Sequence, residues 1–347
     1  MAATIYDVAE RARVSIATVS RVMNGNGHVA AETRDRVLAA AEALGYQPRA
    51  SARGLALNST ETIAIVFPYI SGPYFSEIIH GVETEARRND YHLLVYTVSF
   101  GPGDESFLPL LPARSDGMIL ADHAVSEEYL RELVRRDVPF VVLGDGVEGL
   151  PMNAIRPENR GGSHEAALHL IDHGYRRIAC IAGPWGSDHS AERLQGYAEA
   201  LAERGLAYDG RYVVRGDFRE DSGRDAMLRL LELPAPPDAV LAGNDLMAIG
   251  AMGAIRSRGL RIPEDVALIG FDDIRMVAYL EPPLTTVRQP LFEMGALAMR
   301  LLLRHIQDDT LPPEMVDLPT QLVVRRSCGC ESHATWPHAT EDGAGFI

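Results

Sequence analysis

Between residues 61 and 327 the chain alternates short apolar runs of β type with helical stretches, and it does so twice. The first round reads strand 62–67, helix 74–89, strand 92–97, strand 117–120, helix 126–136 and strand 140–143; beyond a polar stretch comes helix 161–173. The second reads strand 178–182, helix 190–204, strand 240–242, helix 245–258 and strand 266–270. Strands separated by helical crossovers pair in parallel, and parallel sheets are covered by helices on both faces. Two such rounds predict two α/β lobes, with ligands bound where loops leave the carboxyl ends of the strands.

Length and composition narrow the class. The 347 residues suit two domains, and apolar and charged contents of 46% and 23% are those of an ordinary globular protein. No apolar run approaches the roughly 20 residues of a membrane span. The first residues lack a cationic stretch followed by an apolar one, so no secretory signal is expected. Cys180, Cys328 and Cys330 make no disulfide framework, and a reducing cytoplasm is expected. The net charge of −15 opposes a polyanion on average, yet residues 1–58 hold seven arginines against five carboxylates. A mildly basic head on an acidic body is the pattern of a DNA-binding module on a solvated regulatory domain.

The head reads as three helices. Thr4 followed by Asp7 is a helix start, and Ile5, Val8, Ala9 and Ala12 recur at helical spacing. Residues 13–15 break the pattern, and Ser15 opens a second helix that ends near Asn24 and Gly25. A third runs from Ala31, with Val37, Leu38, Ala41 and Leu44, to Gly45. Two short helices joined by a few residues form a helix-turn-helix. On the second, Val19, Val22 and Met23 fall on one side, while Ile16, Ala17, Ser20, Arg21 and Asn24 share the other. The first turn of a recognition helix meets base edges; Arg21 suits a guanine and Ile16 a thymine methyl.

The runs 4–9, 14–15, 18–25 and 44–48 closely resemble the headpiece of the lactose/galactose repressor family. One departure is Arg13, where the family often has glycine; a left-handed arginine costs about 1 kcal/mol. The resemblance implies DNA contacts from Thr4, Tyr6, Ser15, Ile16, Ala17, Thr18, Ser20, Arg21, Asn24, His28, Thr33 and Arg53. It also implies a hinge helix over 49–57, with Leu55 wedged into the minor groove to kink the duplex.

Enzyme readings fail on the residues. Gly144, Gly146 and Gly149 match G-x-G-x-x-G after a strand, but Leu150 and Pro151 follow instead of a helix that would meet a pyrophosphate. His164 and His169 lie five apart and cannot share one metal-binding face. There is no P-loop and no G-x-S-x-G elbow. No enzymatic activity and no cofactor are expected.

The resemblance extends through the body, at 70–75, 173–178, 192–197, 243–250, 270–273 and 282–287. It implies a bilobed, periplasmic-binding-protein-like core, so the expected fold is α/β with an all-α headpiece. Crossovers are expected near 157–160, 286–290 and 320. The implied divisions are a headpiece 1–47, a hinge or linker 48–60, and a core 61–327. Lobe one would take about 61–157 and 289–319, lobe two about 158–288 and 320–327, leaving 328–347 as a disordered tail. Residues 323–328 resemble the family's last strand. Carried over residue by residue, the effector site comprises Tyr74, Phe75, Asp145, Arg193, Phe218, Asn244, Asp272 and Gln289, a set that suits a polyol. Cys328 and Cys330 with His333 and His338 have incomplete spacing for a metal, and no metal site is expected. The expected function is a homodimeric repressor of carbohydrate-utilisation genes, binding a near-palindromic operator under control of a sugar effector. The alternatives are a regulator responding to a nucleobase or nucleoside, and a non-enzymatic solute-binding module.

Overall fold

A computed structural model describes residues 3–23, 29–46, 59–68, 70, 72–98, 105–121 and 124–331. The N-terminal helices are α1 (Ile5–Ala12), α2 (Ile16–Met23) and α3 (Ala31–Leu44). Thr4 starts α1 by donating its backbone N–H and its hydroxyl to Asp7, each at 2.7 Å. Those bonds hold the Asp7 carboxyl below its usual pKa. Arg13 ends the helix in the left-handed conformation at φ 54°, the strain expected of an arginine at that turn. Val8, Ala12, Val19, Val22, Val37 and Ala41 form the headpiece core. Leu38, counted among the apolar positions of α3, is exposed, since the next residue along a helix turns away from the face that Val37 buries.

The body comprises β1 (Thr62–Phe67), α4 (Pro73–Arg88), β2 (His92–Thr97), β3 (Gly117–Ala121), α5 (Glu127–Arg135), β4 (Phe140–Leu143) and β5 (Asn153–Pro157). Then follow α6 (Asn159–Asp172), β6 (Ile178–Ala182), α7 (Asp188–Glu203), β7 (Val213–Arg215), α8 (Glu220–Leu231), β8 (Ala239–Ala242), α9 (Asp245–Ser257) and β9 (Ala267–Asp272). The last described elements are β10 (Thr285–Arg288), α10 (Leu291–Gln307), β11 (Met315–Leu318) and β12 (Gln321–Val323).

Two six-stranded sheets result, ordered β11-β5-β4-β3-β1-β2 and β12-β10-β9-β8-β6-β7. Every pairing is parallel except β10 with β12. Ile63 to Phe67 are all fully buried, as a strand covered on both faces requires. The chain passes between the sheets three times: from β5 to α6, from β10 to α10, and from β11 to β12. In the first lobe α10 crosses α4 almost backbone to backbone. A Cβ on Gly81 would lie 2.0 Å from the Phe292 carbonyl oxygen, and one on Gly295 2.0 Å from that of Ile78.

Two expectations at the end of the chain are corrected. The last strand stops at Val323 instead of running to Cys328, because the backbone turns over residues 326–329. Cys328 is fully buried, so the ordered chain extends past the expected start of a tail. Residues 332–347, with His333 and His338, lie outside the described residues.

Candidate functional site

A cavity of about 480 Å³ opens between the two sheets at the carboxyl ends of their strands. The first lobe contributes Phe67, Tyr74 and Phe75; the second contributes Arg193, Phe218 and Asp272. The aromatic rings brace one another. Phe75 packs on Phe67 with centroids 4.8 Å apart and meets Tyr74 edge-on at 5.0 Å. Phe218 holds its place through a positive φ of 67°, and its ring lies over Gly183, where a Cβ would fall 2.3 Å from Cζ.

Two opposite charges sit in this apolar setting. Arg193 projects from α7 and is buried; its Nε donates to Asn159 Oδ1 at 2.8 Å and its Nη1 to the Gly243 carbonyl at 2.6 Å. The guanidinium lies 3.8 Å over the Phe271 ring. Asp272 ends β9, with its Oδ1 3.7 Å from Arg193 Nη1 and accepting from Gln289 Nε2 at 2.7 Å. Among the described residues, Arg193 Nη2 has no acceptor and Asp272 Oδ2 no donor. Burial raises the Asp272 pKa to about 7, against the lowering effects of Arg193 and Gln289. The aspartate also sits at φ 118°, followed by Asp273 at 56°, and strained backbone of this kind clusters at ligand sites.

Of the eight side chains expected at the effector site, Tyr74, Phe75, Arg193, Phe218, Asn244 and Asp272 line this cavity. Asn244 also caps α9, accepting from Met247 N at 2.9 Å, and donates to the Phe218 carbonyl at 3.0 Å. Gln289 stands behind Asp272 rather than in the wall, and its buried Oε1 has no partner among the described residues.

Asp145 is a correction. Leu143 lines the cavity, but the chain then turns through Gly144 and Gly146 at positive φ. Asp145 is carried to a separate pocket, 3.7 Å from Arg156 Nη1. Glu192 lines that same pocket; its pKa is raised by burial and by Asp145. Sequence reasoning missed Trp185, 82% exposed at the cavity's edge with Arg215 stacked 3.6 Å from its ring, and His189, whose Nδ1 meets Asn159 Nδ2 at 3.0 Å. The signal was a tryptophan in a Gly-Pro-Trp-Gly loop directly after a strand.

On the headpiece, α2 buries Val19 and Val22 and exposes Ile16, Ala17 and Arg21. Ser15 and Thr18 also have a local role, since Thr18 N donates to Ser15 Oγ at 3.2 Å and starts α2. Ser20 and Thr33 are half-buried, Thr4 and Tyr6 exposed. Asn24, His28, Arg53 and Leu55 lie outside the described residues.

Residues 4–49 match the family described as bacterial regulatory proteins, lacI family, and residues 167–328 match the periplasmic binding protein-like domain. Catabolite control protein A of Priestia megaterium is 38% identical over 331 residues, spanning 94% of this chain and 99% of the relative. The chain belongs to the LacI family. The HTH-type transcriptional repressor CytR of Escherichia coli is 37% identical over 94% of this chain and 96% of its own length. Among solved structures, the Lac repressor dimer bound to operator aligns with a TM-score of 0.83 at 30% identity, covering 94% of this chain and 99% of that one. The CelR–cellobiose complex aligns with 0.72 at 36%, with the same coverage. As a LacI-family member the chain is a DNA-binding transcription regulator and not an enzyme. Among the described residues, no helix is long and apolar enough to cross a membrane.

Proposed function

We propose that the protein is a cytoplasmic repressor of carbohydrate-utilisation genes whose inter-lobe cavity binds a sugar. A homodimer presents two α2 helices to successive major grooves of a near-palindromic operator. Thr4, Tyr6, Ser15, Ile16, Ala17, Thr18, Ser20 and Arg21, with Asn24, His28, Thr33 and Arg53, form the DNA face, and Leu55 is the minor-groove wedge. Residues 1–47, 48–60 and 61–327 act as headpiece, hinge and core.

One observation carries the effector reading: the buried Arg193–Asp272 pair turns an open donor and an open acceptor into a cavity walled by aromatic rings. Vicinal hydroxyls match that alternation of donor and acceptor, and the apolar faces of a pyranose match the rings. The volume lies within the range of small-molecule sites. Support also comes from the cellobiose-bound relative.

The test is calorimetry of the full chain against mono- and disaccharides, with nucleosides as the contrast, paired with operator binding by fluorescence anisotropy. A sugar should bind and shift operator affinity by roughly 5- to 150-fold. Binding of nucleosides alone would replace the sugar by a base. A chain lacking residues 1–58 should keep effector binding and lose the operator; retained operator binding overturns the assignment of the head.

A further inference from the structure

His169 lies in the last turn of α6 and His173 is its C-cap, so the two imidazoles stand one helical turn apart with ring centroids 4.3 Å from each other. The chain returns to them more than 150 residues later as Cys328-Gly329-Cys330. His169 Nε2 is 3.3 Å from Cys328 Sγ and 3.6 Å from Cys330 Sγ, and His173 Nε2 is 3.0 Å from Cys330 Sγ. The ligand atoms of His169, Cys328 and Cys330 all lie within 4.8 Å of one another. We propose that these four side chains form a zinc site that clasps residues 328–330 onto α6.

The separations fit the ion. Zn–S bonds of about 2.3 Å and Zn–N bonds of about 2.0–2.1 Å in a tetrahedron set sulfur and nitrogen about 3.6 Å apart. The contacts of 3.0–3.6 Å lie at or just below that value, and closing the tetrahedron draws His173, which touches Cys330 from outside the tighter His169–Cys328–Cys330 cluster, in toward the ion. Two thiolates and two neutral imidazoles leave a bound Zn²⁺ with no net charge, and a closed set of four protein ligands is a structural site, with no open position for a water nucleophile.

The surroundings hold the ligands as a metal site requires. His173 Nδ1 hydrogen-bonds to the His169 carbonyl at 2.9 Å, which makes Nδ1 the protonated nitrogen and leaves the Nε2 lone pair for the metal. Thr285 Oγ1 donates to Cys328 Sγ at 3.1 Å, a bond that fixes the direction of the sulfur. Gly329, at φ 98°, turns the two sulfurs to the same side; a Cβ there would lie 2.9 Å from the Tyr175 hydroxyl, which donates to the Cys328 carbonyl at 3.2 Å. Cys328 is buried, while His173 is exposed, which gives the ion a path from solvent.

The experiment uses the full chain, purified reduced and without a histidine tag, and measures metal by plasma mass spectrometry. It also records the visible spectrum after exchange into cobalt(II). The expected result is about one zinc per chain, with a thiolate-to-cobalt charge-transfer band and the intense ligand-field bands of tetrahedral cobalt. Cys330→Ser and His173→Ala, both outside the buried core, should each lose most of the zinc with an unchanged far-UV circular dichroism spectrum. Three results would overturn the site: no zinc retained by the reduced wild type, full zinc in either variant, or a Cys328–Cys330 disulfide in place of metal.

Discussion

Arg193 and Asp272 form a buried pair whose removal can be worked through quantitatively. At 3.7 Å and an effective dielectric of about 20, their attraction is about 4–5 kcal/mol. Removing one member of a buried pair costs about 3–5 kcal/mol, because the survivor stays desolvated and unpaired. Arg193→Met keeps the stem over Phe271 and should lower unfolding free energy by that amount, or the midpoint temperature by about 6–20 °C for a core of this size. Asp272→Asn in the same chain should restore much of the loss. The sign with pH follows from the raised Asp272 pKa, about 7 against a model-peptide value of 3.8. Between those values the folded chain holds a proton that the unfolded chain has lost, so this group's contribution to stability falls as pH rises through the window. Removing the cation pushes the pKa higher still. The cost of Arg193→Met should therefore be larger at about pH 8 than at about pH 5.5. Urea melts of both single variants and the double variant at the two pH values measure this. Additive losses, or a cost that shrinks as pH rises, would refute the pairing.

Other substitutions probe separate steps. Arg21→Ala should leave the headpiece folded, since the side chain is exposed, and cost about 1–3 kcal/mol of operator discrimination in competition binding. Gly183→Ala drives a methyl into the Phe218 ring, so it should destabilise by about 1–3 kcal/mol and weaken effector binding in calorimetry while operator affinity without effector stays unchanged. Gln289→Ala removes the amide that fixes Asp272 and should weaken effector binding by roughly 10-fold or more, the worth of a hydrogen bond to a charged group; an unchanged Kd would show that the carboxylate needs no positioning.

Both lobes were legible because their strands are continuous apolar runs, such as Ile63 to Phe67, bounded by helices. The elements that escaped lack that signature. The strand Asn153–Pro157 carries Arg156 and ends in proline, and α8 opens with the polar run 220–225. The helix Leu291–Gln307 is strongly apolar, yet it covers the first lobe after a strand of the second, which breaks the alternation that marks the others. The wheel of α2 placed Val19 and Val22 correctly because a short helix on a small core has one buried face. At the cavity, local sequence announced the residues at strand ends, such as Asp272, and failed for Asp145, whose direction depends on two glycine dihedrals. Spacing along the sequence pairs His169 with His164 and the cysteines with His333 and His338; the His169–His173 pair and its approach to Cys328 and Cys330 depend on the fold of the whole second lobe.

Three covalent crossings join the lobes, and their packed cores resist internal deformation, so the soft coordinate of the core is rotation of one lobe against the other. A ligand held by Phe75 on one side and by Arg193 and Asp272 on the other makes its full set of contacts at one closure angle. Differential affinity for that angle is what lets binding shift the equilibrium; contacts confined to a single lobe would be equally strong in every closure state and would shift nothing. Gln289, which holds Asp272, lies in the crossing between β10 and α10, so the second lobe's acceptor is fixed to the segment about which the lobes turn. On the proposed sugar reading, closure would therefore change the separation between the Phe75 wall and Asp272 while leaving the Asp272–Gln289 bond in place.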